Sequence, residues 1–435
     1  MNLLFSNDKL GQFPNSWYAS TANNHKRYQM LKESIEADVC IIGAGYTGLS
    51  CALHLAEAGL KVVLLDAHRP GWGASGRNGG QVASGQRVDQ RSLEREYGEV
   101  AAQKLWQIGQ DAKYLVNDLI AKNVIDCDLK PGIIHACLNQ REVKEEHENV
   151  ELLKRKYGHQ KITPLDKAQM QDIVGSKRYF GGSMDWSSGH LHPLNYALGL
   201  ADSASKGGVQ IFENSFVDQI EYGNKTLIKT KLGLVKTTYT ILACNGYLGN
   251  LNKTVNKKVM PINNFIASTE VLNDDLKSSI LNKDVAVADS KFVVNYFRMS
   301  KDNRLLFGGG ETYGYNFPKN INAIVSKPML KIFPQLANVK LEYSWGGTLA
   351  ITMKRMPYLS KLNKNTYSAS GYSGSGVAMA TMAGKIISED ILGENGRFKT
   401  MASLITPNFP GGPKLRSPLL ALAMTWYSMR DELGL

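Results

Sequence analysis

Apolar and polar positions follow different patterns along the chain, and each pattern predicts its own element. Val39 to Ile42 is a continuous apolar run, which reads as a buried strand. Leu49, Ala52, Leu53 and Ala56 follow at helical spacing, and Gly59 ends that helix. Lys61 to Asp66 is a second apolar strand, so residues 38–66 predict a βαβ unit. A polar arm, residues 1–36, precedes it and carries the aromatic pair Trp17–Tyr18. Residues 90–125 have helical spacing through Leu105, Ile108, Leu115 and Leu119, and the charged stretch 140–156 predicts a solvated helix. Gly132 to Leu138 reads as a strand, and a helix opens near Ser188 and runs to Lys206. Strands are predicted at 209–212, 216–222, 226–230 and 235–238, followed by a buried return strand over 240–246. Strands at 261–271, 290–299, 304–310 and 341–350 surround a helix near 320–334. The strand 366–370 then enters Gly371-Tyr-Ser-Gly-Ser-Gly-Val377, and a helix follows with Met379, Met382, Ala383, Ile386 and Ile387 on one side. The tail holds an apolar helix over 418–427, too short to span a bilayer. It either packs on the body or rests on a membrane surface.

The junction of the first strand and helix carries candidate chemistry. Gly43, Gly45 and Gly48 form G-x-G-x-x-G after a strand and before a helix. In that context Gly43 permits the tight turn, Gly45 lets a pyrophosphate approach the backbone, and Gly48 lets helix and strand pack. Free N–H groups at the helix start face the phosphates. Asp66, at the end of the second strand, suits the ribose hydroxyls of an adenosine. The segment Arg69 to Gln81 is dense in glycine and adds Ser75, Arg77, Asn78 and Gln81 as donors, which suits a pyrophosphate and a flat ring system. The turn 371–377 is a second glycine-rich entry to a helix, whose N-terminus favours negative charge on a ring. A nicotinamide cofactor fits the first motif alone; the 69–81 loop and the second turn argue against it.

Composition changes this picture little. The chain has 435 residues, enough for two or three domains, and a hydrophobic content of 43% that permits a sizeable core. The formal charge of +12 is compatible with nucleic acid, membrane phosphates or an anionic substrate. The lysines are scattered among acids, so a plain basic surface is favoured and no nucleic-acid partner is expected. Cysteines 40, 51, 127, 137 and 244 contain no C-x-x-C pair and read as reduced core thiols. His190-x-His192 lacks a neighbouring acid or cysteine cluster, so no metal site is expected. The chain start has no basic region followed by a long apolar one, and a cytoplasmic location is expected.

Taken together, Gly43 to Gly48, Asp66, Gly73 to Gln81 and the C-terminal glycine turn resemble the FAD-dependent amine and amino-acid oxidases, which include D-amino-acid, glycine and sarcosine oxidases. Ser16 to Asn23, Gly189 to Leu194, Tyr296 to Ser300, Arg304 to Gly309, Trp345 to Gly347 and the Phe409-Pro-Gly-Gly tail are similar to the gamma-glutamylputrescine oxidase branch. The resemblance implies an α/β fold, α+β overall. A Rossmann-like FAD-binding domain (37–90, 186–250 and 360–395) would join a mostly antiparallel substrate domain (91–185 and 251–359), between the arm 1–36 and a tail 396–435.

It implies that Gly43, Gly45, Tyr46, Thr47 and Gly48 hold the pyrophosphate, and that Asp66, Ala67 and Arg69 hold the adenosine ribose, with Val217 at adenine. Ala74, Ser75, Arg77, Asn78, Gly79, Gly80 and Gln81 would line the ribityl chain and flavin. Ala243, Asn245 and Gly246 would touch the cofactor from the return strand. Gly371, Ser373, Gly374, Ser375, Gly376 and Val377 would meet the pyrimidine edge. The family's attachment cysteine near the last turn has no counterpart after Cys244, so the FAD is expected to be non-covalent. Arg298 and Tyr372 are the expected catalytic residues, and Tyr296 and Trp345 the expected substrate walls.

The implied reaction is C–N oxidation. A neutral amine gives hydride to the flavin, the imine is hydrolysed to an aldehyde, and oxygen yields peroxide. A gamma-glutamyl polyamine is the implied substrate. Two other readings stay open: a dehydrogenase that passes electrons to a quinone or carrier, and a flavin-binding interaction protein without turnover. The C-terminal helix offers a peripheral membrane contact.

Overall fold

The computed structural model describes residues 2–411. Two sheets organise them. The first is built around Ser34–Ile42, which pairs in parallel with Leu234–Leu242 on one side and Val62–Leu65 on the other. Thr366–Ser370 and Gln210–Phe212 extend it in parallel. Tyr358–Asn363 adds an antiparallel edge, and Thr226–Thr230 and Val217–Glu221 fold back antiparallel from Leu234–Leu242. Residues Val39 to Ile42 are buried on both faces, as a covered parallel strand requires. Val39 and Ile41 enter one apolar core, Cys40 and Ile42 another. The first core is completed by the helices Tyr46–Glu57, Glu99–Lys122, Pro193–Lys206 and Gly376–Ile391.

The second sheet runs in the order Leu341–Ile351, Met260–Thr269, Leu305–Thr312, Tyr296–Met299, Ala286–Asp289, Lys130–Cys137, Gly181–His190, Gln81–Val82. Its pairs are antiparallel except Ala286–Asp289 with Lys130–Cys137. Gln81–Val82 sits at its edge, so the 69–81 loop runs from one sheet to the other.

Several elements differ from the sequence expectation. The central strand begins at Ser34, because Ser34 to Ala37 pair with Leu234 to Thr237 despite their polarity. The expected strands 235–238 and 240–246 are one strand, Leu234–Leu242. Of the expected strand 290–299 only Tyr296–Met299 is strand, and a separate strand, Ala286–Asp289, precedes it. The Asp289 carboxylate accepts from the Asn295 backbone N–H at 2.9 Å and from its side chain at 2.6 Å, which closes a turn between them. The helix Glu99–Lys122, in the stretch expected to belong to the substrate domain, buries Leu105, Ile108, Leu115 and Leu119 in the core beside the parallel sheet.

The arm is anchored: Trp17 and Tyr18 are buried with Leu194, Ile266 and Trp345. His192 caps the helix Pro193–Lys206, its Nδ1 accepting from the Asn195 N–H at 3.1 Å. All five cysteines are unpaired. Among the described residues no helix is long and apolar enough to cross a membrane. The expected helix 418–427 lies outside the described residues.

Candidate functional site

A cavity of about 1350 Å³ runs between the two sheets, larger than an ordinary small-ligand pocket. One end lies where the parallel strands stop. A side chain at Gly43 would lie 2.7 Å from the Ala243 carbonyl oxygen, and φ there is +108°, so only glycine lets the turn pass the return strand. A Cβ at Gly48 would lie 1.9 Å from the Gly43 carbonyl oxygen, so helix and turn touch through that glycine. Gly43, Gly45, Tyr46 and Thr47 line the cavity, whereas Gly48 lies behind it. Ser75 Oγ accepts from the Tyr46 N–H at 3.0 Å, which ties the helix start to the 69–81 loop. The N-cap residue, Gly45, has no side chain to cap the helix Tyr46–Glu57. Its first N–H groups, Tyr46 apart, are therefore available to an anion.

Asp66 closes this end. Its carboxylate accepts from the Ala44 and His68 N–H groups, both at 2.7 Å. Burial nevertheless pushes its pKa up to about 6; those two bonds oppose the shift, and nearby Glu213 adds to it. Ala67, Val217, Ala243, Asn245 and Gly246 line the same end. So does Cys244, whose thiol donates to the Ile42 carbonyl at 3.3 Å and is pushed up to about 12 by burial. Arg69, expected beside the ribose, does not line the cavity. It lies over the Phe13 ring at 4.5 Å with Glu213 at 3.7 Å.

The loop is folded on itself. Asn78 donates to the carbonyls of Ala74 and Ser75, both at 3.0 Å, and accepts from the Gly80 N–H at 2.8 Å. Ala74, Ser75, Asn78, Gly79 and Gln81 face the cavity. Gly80 does not; a Cβ there would lie 2.0 Å from the Leu191 carbonyl oxygen. Arg77 is likewise displaced from its expected role. Its guanidinium turns inward to the carbonyls of Trp72 at 2.7 Å and Gly346 at 3.1 Å, and to Asp8 at 2.8 Å. Trp72, which the sequence reading passed over, lines the cavity and stacks on His68 with ring centres 3.6 Å apart.

The second glycine turn meets the first helix here. Tyr372 Oη and Thr47 Oγ1 are 2.6 Å apart, a bond joining residues 325 positions distant in sequence. Asn245 Oδ1 accepts from the Gly371 N–H at 2.9 Å, linking the return strand to the same turn. Tyr372, Ser373, Gly374, Ser375, Gly376 and Val377 line the cavity, and Gly371 supports them from behind. The helix Gly376–Ile391 also begins without a side-chain cap.

Opposite lies the antiparallel sheet. Tyr296 lines the cavity, and its hydroxyl donates to Asn264 Oδ1 at 2.5 Å. A Cβ at Gly79 would meet its ring at 2.7 Å. Arg298, expected to be catalytic, and Trp345, expected to be a substrate wall, do not line the cavity. Arg298 is buried and donates to the carbonyls of Gly79 at 3.2 Å, Leu191 at 3.0 Å and Met299 at 3.2 Å. Trp345 is 1% exposed and donates from Nε1 to the Arg77 carbonyl at 3.1 Å. Both hold the loop from behind. Arg304 pairs with Asp302 at 2.8 Å and with Glu342.

Arg87 and Glu311 do line the cavity, and the sequence reading missed both. Glu311 follows Gly308 to Gly310, where the expected strand ended, and Arg87 lies six residues beyond the glycine loop. A charge carried just past a glycine run was the available signal. A further branch is polar. Asp185 accepts from the hydroxyls of Ser84, Ser187 and Ser188 at 2.6, 2.7 and 2.6 Å, and His159 stands 3.1 Å away.

The arrangement suits an extended dinucleotide with a flat ring. It offers a carboxylate at one end, two uncapped helix starts, and a glycine-lined slot between loop and turn, so the residues present fit FAD.

The family model described as "FAD dependent oxidoreductase" matches residues 38–390. A protein of Escherichia coli (strain K12) named "Gamma-glutamylputrescine oxidoreductase" is 40% identical over 423 residues, covering 96% of this chain and 98% of that protein. A protein of Rhizobium meliloti (strain 1021) named "Probable oxidoreductase OrdL" is 38% identical, covering 96% and 97%. The crystal structure of glycine oxidase from Geobacillus kaustophilus superimposes with a TM-score of 0.69 at 19% identity, over 81% of this chain and 94% of that one, which supports the fold. With the family model spanning both glycine turns and the sheets between them, the chain belongs to the FAD-dependent oxidoreductases of this family.

Proposed function

We propose that the protein oxidises the C–N bond of a gamma-glutamylated diamine, with oxygen as electron acceptor, in the cytoplasm. The single observation that carries the reading is the continuity of the cavity. It joins the carboxylate of Asp66 to a chamber walled by Tyr372, Tyr296 and Glu311, so a cofactor and a substrate can meet inside. The name of the Escherichia coli relative supports the choice of amine. FAD supplies the hydride acceptor when bound.

The chain's own residues hold and shield the reactants. Gly43, Gly45 and the uncapped start of Tyr46–Glu57 receive the diphosphate, and Asp66 the ribose hydroxyls. The N-terminus of Gly376–Ile391 favours negative charge at the ring's edge. Tyr372, held by Thr47, and Tyr296, held by Asn264, exclude water from the chamber. Desolvation there lowers the pKa of a bound amine and favours the neutral form that reacts. The cofactor is non-covalent: Cys244 stands beside Gly43, at the diphosphate end, with a thiol that stays protonated.

The test is anaerobic bleaching of the yellow flavin band by a panel of amines, followed by oxygen. Gamma-glutamyl diamines should bleach the enzyme, and oxygen should restore colour with peroxide release. Bleaching by sarcosine or a D-amino acid instead would sink the substrate assignment. Failure of oxygen to restore colour would turn the oxidase into a dehydrogenase. Colour that stays with the acid-precipitated protein would refute non-covalent binding.

A further inference from the structure

Arg87 and Glu311 stand in the chamber with opposite charges and do not touch. Among the described residues Arg87 closes no hydrogen bond or ion pair. Each nevertheless acts electrostatically on the other, so they share one neighbourhood. Arg87 lies against the second glycine turn, where a Cβ at Gly374 would be 3.7 Å from its Nε. Glu311 lies on the opposite sheet, and its carboxylate accepts from Tyr313 Oη at 3.2 Å. Arg355 joins the group and packs over the Phe292 ring at 4.6 Å. Burial raises the Glu311 pKa, and the two arginines oppose that shift.

Charges in a partly buried chamber are costly unless paired. A direct ion pair would have settled both, and the cavity passes between them instead. A ligand that carries both signs on adjacent atoms would satisfy both charges. We propose that Arg87 and Glu311 bind the α-amino-acid zwitterion of the substrate, Arg87 taking the α-carboxylate and Glu311 the α-ammonium, and so select a glutamylated amine over a bare diamine. A bare diamine brings a second cation towards Arg87 and leaves that guanidinium unpaired. Planar guanidinium suits a carboxylate in two parallel bonds. The inference rests on the proposed substrate, and it assigns its recognition to residues no sequence motif marks.

The test uses the holoenzyme and three substrates: a gamma-glutamyl diamine, its α-carboxamide and its N-α-acetyl derivative. Arg87→Gln should raise KM for the parent roughly 10- to 100-fold and lose little further on the carboxamide, which already lacks the carboxylate. Glu311→Gln should behave likewise with the parent and the acetyl derivative. Retained flavin and an unchanged melting temperature keep the variants comparable. Equal losses on parent and blocked substrates would overturn the assignment. If the wild-type enzyme oxidises no gamma-glutamyl amine, the proposed function fails, and a second measurement judges the clamp alone. L-glutamine is then titrated into the holoenzyme while the flavin spectrum is followed. Binding that both variants weaken supports the clamp; no binding to the wild type overturns it.

Discussion

At the Asp66 end the cavity is walled by main chain: the Gly43 turn, the Ala243 to Gly246 return and the loop around Ser75. At the chamber end it is walled by side chains of Tyr296, Tyr372, Arg87 and Glu311. The first end follows from parallel strands that stop together and release N–H groups, so its chemistry depends on close backbone approach. The second end takes Tyr296 and Glu311 from the antiparallel sheet, Tyr372 from the second glycine turn and Arg87 from the segment after the 69–81 loop, so its chemistry depends on which side chains those are. A dinucleotide can thus be held by a pattern of absences at glycine, and the substrate by a pattern of charges. Changes at one end should act on folding and cofactor retention, and changes at the other on substrate choice.

The largest break in that comparison is expected from Gly48→Val. Its Cβ would lie 1.9 Å from the Gly43 carbonyl oxygen. The helix must move, at about 3 kcal/mol or more, and the protein should purify without flavin and melt early. Next is Arg298→Met, which removes the donor to three carbonyls. A loss of about 2–3 kcal/mol is expected, read by denaturant melts, together with weaker flavin retention. If stability and flavin content hold while turnover falls, Arg298 belongs with the chamber after all.

A third expectation concerns pH. Asp66 titrates near 6 in the fold against an ordinary 3.8. Between those values the folded chain holds a proton that the unfolded chain has released. Stability of the flavin-free protein therefore falls as pH rises through that window. Ribose hydroxyls donate to the ionised form, so FAD affinity should rise through the same window. Asp66→Asn should flatten both curves, in melts and in flavin titrations. The smallest effect is expected from Trp345→Phe. It removes one hydrogen bond, to the Arg77 carbonyl, worth about 1 kcal/mol, with KM unmoved. A raised KM would return Trp345 to the substrate wall.

The Asp66 end was legible in the sequence because its signals are local. The turn, the helix and the acid lie within one βαβ unit, and the glycine spacing states the geometry directly. The 371–377 turn was legible for the same reason. Arg298, Arg77 and Trp345 were misplaced because a strand pattern gives alternation but not what stands behind the strand. Their partners, Gly79, Gly346 and Arg77, come from other segments. Glu311 and Arg87 escaped because each becomes a neighbour of the other only when two sheets close on one cavity.

The bond from Arg298 to the Gly79 carbonyl joins residues 219 positions apart. It has a consequence for the order in which the molecule is made. A ribosome extends the glycine loop early, yet the guanidinium that fixes its shape leaves the tunnel only after the sheet strand Tyr296–Met299 has been translated. The Thr47–Tyr372 bond closes later still. The diphosphate turn is translated long before the residues that fix the ring end, so the site that fits FAD is complete only when the chain is nearly finished.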